Sequence, residues 1–289
     1  MKKKNKAIYL LFLMPFVYFA TACFVVWLVK TSGIYPSGSD TMYHVYRGDY
    51  VYNAIKSGNW YPLYDPAWYN GVEILRYWSP FPAYVMAFCQ YLAGGSQFGA
   101  YLFYIGGVCF LGACVWPFIG RGFNRPYLGA FIGLLWFFMP NNLCAIFIEG
   151  NLARSLSMIF LPVFIYSVYK YLYNHKLRYI PLMVFTFLLM ELCHLGYAGM
   201  VAIAVIIYGI VYIIQKGRKK AVLDVVISMI FGFMLLGIWL VASLRGGITS
   251  LDNSENMANF FQNLWITINP FERLTRGFEY FYFGFATLV

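Results

Sequence analysis

Asp40, His44 and Arg47 stand at i, i+4 and i+7, a spacing that lines three side chains along one face of a helix. With Ser39 as the N-cap, such a helix presents a carboxylate, an imidazole and a guanidinium together. That set suits group transfer from a phosphate-bearing donor. The carboxylate would serve as general base toward an acceptor hydroxyl, and the cations would hold phosphate oxygens. The same trio also reads as a local salt bridge on a solvated helix, since three polar residues on one face are ordinary. Asp49 is a second acid close by, and it competes with Asp40 for the base role. Two further polar spots fall at turns between apolar runs: Glu149-Gly150-Asn151 with Arg154, and Glu191 with His194. Ionisable groups at membrane depth are costly and are functional candidates by default; a Glu–Arg pair that satisfies itself is the plainer alternative.

These residues must be positioned by membrane helices. The 289 residues are 61% hydrophobic and 11% charged, against about 45–50% and about 25% for a soluble domain. A water-soluble protein is thereby excluded. The first apolar run, residues 7–29, follows Lys2, Lys3, Lys4 and Lys6 and continues too far for a cleaved signal, so it reads as an uncleaved anchor. Further runs cover residues 98–119, 127–145, 156–173, 179–193, 197–214 and 221–244. A last one begins near Phe278 and runs to the end of the sequence. The expected fold is a single all-α polytopic transmembrane domain over residues 1–289, with about seven transmembrane helices and the start of an eighth. A C-terminally truncated chain is the matching expectation. The span at 179–193 is short, and re-entrant or tilted placements suit it too. Gly129 and Gly133 form a GxxxG that predicts close helix packing.

The net charge of +10 first suggests an anionic partner. Alternating the spans from a cytoplasmic N-terminus places 13 of the 21 basic residues, and only Asp224 of the 11 acids, on the cytoplasmic side. That is the positive-inside pattern, so the excess reports topology and not nucleic-acid binding. The six cysteines lie in or beside apolar runs with no CxxC pair, which reads as structural. The three histidines are far apart in sequence, and no zinc site follows from their spacing.

Most outside charge falls in two loops. Residues 30–97 form a long first loop, dense in Tyr and Trp, and Pro80–Ala93 within it reads as a short interfacial helix. Its rings suit either an interfacial belt or sugar-stacking surfaces above a site. Residues 245–276 form the last outside loop, which either closes over the site or simply connects spans.

The loop reads Ser39-Asp40-Thr41-Met42-Tyr43-His44-Val45-Tyr46-Arg47, then Gly58-Asn59-Trp60-Tyr61-Pro62, Trp68-Tyr69-Asn70-Gly71 and Ser79-Pro80-Phe81-Pro82. Further on come Glu149-Gly150-Asn151-Leu152-Ala153-Arg154, His194, and Asn269-Pro270-Phe271-Glu272-Arg273. In order and spacing this resembles the bacterial membrane family related to 6-pyruvoyl-tetrahydropterin synthase, itself similar to the GT-C superfamily of multi-spanning glycosyltransferases. The resemblance implies hexosyl or pentosyl transfer from a polyprenyl-phosphate-linked sugar to a glycan, lipid or protein acceptor, at the outside face of the cell membrane. By that likeness Asp40 is the catalytic base, His44 and Arg47 contact the donor phosphate, and Glu149, Arg154 and His194 line the cavity. Leu195 stands where relatives often carry proline. A divalent cation is the one cofactor that this chemistry leaves room for. A transporter or flippase of lipid-linked sugars is the rival reading, and a catalytically inactive scaffold is the third.

Overall fold

The computed structural model describes residues 2–244 apart from Ser37, Tyr69, Asn70 and Tyr77, with side chains from Phe12 to Ser243. The loop 245–276 and the run from Phe278 lie outside the described residues. Helices account for the architecture, and among the described residues the sole strand-like pairing is a bridge between Asp65 and Val72.

Helix α1 covers Lys2–Ser32, followed by α2 (Thr41–Lys56) and α3 (Phe81–Leu92) in the loop region, then α4 (Gln97–Gly122). The next apolar stretch is broken: α5 (Pro126–Leu135) runs into a 3₁₀ turn, a short α6 (Pro140–Leu143) and a π turn ending at Ile148. Pro140 lacks the N–H that would continue the ladder. The Asn142 amide donates to the Trp136 carbonyl at 2.8 Å and so caps the break. Four more helices follow: α7 (Leu152–Asn174), α8 (Tyr179–Cys193), α9 (Leu195–Lys216) and α10 (Lys219–Leu235), the last turning into α11 (Gly237–Leu244).

Among the described residues, five helical segments, Pro126–Ile148 counted as one, are long and apolar enough to cross a membrane, or six if the bent α10–α11 pair counts as one. Two expected spans are modified. The 15 residues of α8 fall short of a full crossing, and the run at 221–244 is two helices meeting at 62°. The bend falls between Leu236 and Gly237, where the helix hydrogen bonding is interrupted. Large apolar side chains cover the outer faces, such as Phe16 on α1 at 73% exposed and Ile214 on α9 at 79%. Such a surface suits lipid tails and not water.

Two cores hold the bundle. One joins α1, α4, α5 and the start of α7 around Tyr18, Tyr101, Ile105 and Ala113. The other joins α7, α8, α9 and α10 around Phe164, Met183 and Val225. The expected close packing occurs between α4 and α5: a Cβ on Gly120 would lie 2.7 Å from the Gly129 Cα, and one on Gly133 would lie 2.8 Å from the Ala113 carbonyl. Backbones this near admit no side chain. Gly129→Leu is therefore expected to cut the yield of folded protein several-fold, whereas Gly107→Leu, at a position with open space, leaves it near wild type; fluorescence size-exclusion profiles of membrane extracts read this directly.

The loop region is a small packed layer over one end of the bundle. Val51 of α2 and Ala83 and Ala87 of α3 enclose Ile74 and Leu75. Tyr46 donates to Asp65 at 2.5 Å and Tyr50 to the Tyr64 carbonyl at 2.6 Å. Tyr43 and Tyr46 each pack edge to face on Trp68, while Trp60 is 71% exposed.

Candidate active site

Two glycines fix the start of α2 against the start of α7. A Cβ on Gly150, where φ is +67°, would meet the Thr41 backbone N at 2.6 Å, and one on Gly38 would meet the Gly150 backbone at 2.5 Å. The close approach lets Asp40 N–H donate to the Glu149 carbonyl at 3.0 Å. Ser39 Oγ–H lies 3.1 Å from the same carbonyl and 3.1 Å from Asp40 Oδ1. Asp40, and not Ser39, is the cap residue of α2, and its carboxylate makes no capping hydrogen bond. It remains available to face a ligand.

A cavity of about 340 Å³ opens beside it, within the size range of small-molecule sites. Asp40, His44 and Arg47 all line it, as do Asn151 and His194 from the starts of α7 and α9. The helical spacing thus does bring the trio to one face. Asp49 is on the other side: nine residues after Asp40 is half a revolution out of phase. Its carboxylate accepts from Gln90 Nε2 at 2.6 Å, tying α2 to α3. Glu149 and Arg154 pair with each other at 2.7 Å behind the cavity wall, where the Arg154 N–H donates to Asn151 Oδ1 at 2.9 Å.

Arg47 is 1% exposed. One end of its guanidinium donates to the Trp78 and Ser79 carbonyls at 3.2 and 3.4 Å, and the group sits 5.3 and 5.8 Å from the centres of the Tyr43 and Trp78 rings. Its Nε–H, buried, has no partner.

The imidazoles differ from the expected cations. Burial, then the nearby Arg47 charge and then His194, hold the His44 pKa down at about 3. Burial, then Arg154, also lower that of His194, against a smaller opposing effect of Asp40 and Glu149. Both rings are therefore neutral at pH 7, and of the trio Arg47 alone is a cation. The shift has a stability consequence. An imidazole whose folded pKa lies below its ordinary 6.5 binds its proton more readily unfolded, so acid favours unfolding. Thermal stability is expected to fall as pH drops below 6.5, with His44 contributing up to roughly 1.4 kcal/mol per pH unit. His44→Gln should remove that contribution and flatten the fall between pH 6.5 and pH 5 in melting curves of the purified protein.

The sequence reading missed the far wall. Trp239, Leu240 and Ser243 of α11 line the cavity, because the bend after Leu236 swings α11 toward the loop region. Trp239 Nε1–H donates to the Leu75 carbonyl at 2.8 Å, Arg76 Nε–H to the Ala242 carbonyl at 2.9 Å, and Ser243 to the Arg76 carbonyl. Gly237 inside an apolar run was the available signal. Asn151 was in view beside Glu149, but it had no assigned role.

Against known families, residues 75–289 match the one described as 6-pyruvoyl-tetrahydropterin synthase related domain, a membrane protein. The chain belongs to this family. The protein is thus a multi-pass membrane protein, and no curated protein and no solved structure matches it. In this family member the matched region carries Glu149, Asn151, Arg154 and His194, while Asp40, His44 and Arg47 precede it. The histidines of this 6-pyruvoyl-tetrahydropterin synthase related protein do not converge. His44 and His194 share the cavity, but His175 caps the far end of α7, 23 residues from its start. Among the described residues no three His, Cys, Asp or Glu side chains gather to hold a metal ion.

Proposed function

We propose that the protein is a GT-C-like glycosyltransferase of the cytoplasmic membrane, with its N-terminus in the cytoplasm and its site facing outside. The reading rests on one observation: a carboxylate and a buried guanidinium with a spare N–H share a cavity at the end of an apolar bundle. The donor is a polyprenyl-phosphate-linked sugar whose tail lies among the lipids, and the acceptor supplies a hydroxyl.

In this mechanism Asp40 takes the proton of the acceptor hydroxyl as its oxygen bonds to the anomeric carbon. The bond from that carbon to the phosphate oxygen breaks, and its electron pair stays with the polyprenyl phosphate. Arg47 offsets the charge that builds on the departing phosphate, in a setting where little water competes. The neutral histidines add hydrogen-bond donors without adding charge. The acid-poor, base-rich loops at the other end support the assignment of sides.

The complete protein purified gently from its native membrane should carry a lipid-linked sugar phosphate, detected by mass spectrometry of the extract. Arg47→Met should lose that lipid, and Asp40→Asn should keep it. An extract with no lipid-linked sugar phosphate, or an Arg47→Met protein as well loaded as wild type, would overturn the reading.

A further inference from the structure

His194 and Asn151 each have one side-chain atom committed to a helix start, and that commitment dictates what the other atom can do. The Tyr197 backbone N–H donates to His194 Nδ1 at 3.0 Å. Nδ1 therefore keeps its lone pair, and the proton of the neutral ring sits on Nε2. The Arg154 backbone N–H donates to Asn151 Oδ1 at 2.9 Å. The oxygen must be the atom at that position, so the amide nitrogen Nδ2 is the one turned toward His194. Nδ2 and Nε2 lie 3.4 Å apart. Both bear hydrogens, and neither can accept from the other.

Two N–H donors side by side on a cavity wall need an acceptor from outside the pair. Both residues line the same cavity as Arg47, which is 1% exposed and has its own Nε–H unpartnered. Two unmatched N–H groups and a guanidinium thus border one space. We propose that Asn151 and His194 form a two-donor grip on a single phosphoryl oxygen of the ligand, with Arg47 supplying the balancing charge. This rests on the glycosyltransferase reading for its ligand class, but the donor pairing follows from the two helix caps alone. It makes Asn151 a binding residue and gives His194 a defined tautomer.

The chain has three histidines, His44, His175 and His194, so nitrogen NMR of the full-length protein labelled with ¹⁵N-histidine in nanodiscs can be assigned with single His→Gln variants. The spectrum should show His194 protonated on Nε2. Addition of decaprenyl phosphate should shift that nitrogen, and inorganic phosphate should compete for the same site more weakly. Asn151→Ser and Asn151→Asp both preserve a good helix cap, so they should melt close to wild type. Aspartate has no donor to offer, and the serine hydroxyl, one bond shorter, stops short of the place of Nδ2, so each is expected to weaken decaprenyl phosphate binding at least tenfold. The grip is overturned if His194 carries its proton on Nδ1, if Asn151→Ser binds within twofold of wild type, or if neither phosphate binds. Binding of inorganic phosphate alone, lost in Asn151→Ser, would uphold the grip and sink the lipid-linked donor of the glycosyltransferase reading.

Discussion

Asp40→Asn is expected to lower sugar transfer by roughly 10²–10⁴-fold, the usual contribution of a positioned general base, with little change in donor binding. The substitution is nearly isosteric. It leaves the backbone bond from residue 40 to the Glu149 carbonyl in place, and there is no side-chain capping bond at this position to lose. Lost folding would therefore not explain the result. Single-turnover transfer by the complete protein in proteoliposomes, with donor retention measured on the same preparation, separates chemistry from binding. Transfer at the wild-type rate would remove Asp40 from the base role. Asp49 would not inherit it, because its carboxylate is turned into the α2–α3 contact with Gln90.

Arg47→Met carries the second large effect, and its two readouts should move differently. Replacing a buried charge with an apolar side chain of similar reach often leaves stability unchanged or slightly raised, because the cost of desolvating the ion disappears. The lost donations to the Trp78 and Ser79 carbonyls oppose that gain, so the melting temperature should stay within a few degrees. Transfer should fall by about 10²–10³-fold, the scale seen when one donor facing developing charge is removed. Arg47→Lys should recover only part of it, since an ammonium restores the charge without the planar fork. A large drop in melting temperature with little loss of transfer would instead make Arg47 a structural ion.

Helical period made the trio legible. Residues 40, 44 and 47 fall within a few tens of degrees of one another on any α-helix, so their convergence needs only that the helix exists. The same arithmetic turns Asp49 to the opposite face of the helix. The turn at Glu149 was legible as a polar spot, but its connection to Asp40 was not. That link depends on a contact between Gly38 and Gly150, which are more than a hundred positions apart in sequence, and no local pattern announces it. The protonation of the histidines was also hidden, because burial and Arg47 act through space. Span boundaries at α4, α7 and α9 came within a few residues, since caps at Ser96, Asn151 and His194 sit beside clear apolar runs. The 62° bend within the run at 221–244 was not legible, because hydropathy records composition and is blind to direction.

The Gly38–Gly150 contact also sets where this protein can change. Chain length in the exposed stretch around Trp60 and Leu63 can drift, as the segment is anchored on both sides by α2 and α3. A single methyl at position 38 or 150 has nowhere to go and would part the loop from the bundle. Variation among descendants of this sequence should accordingly be lopsided, generous across dozens of surface positions and nearly forbidden at two that carry no chemistry of their own.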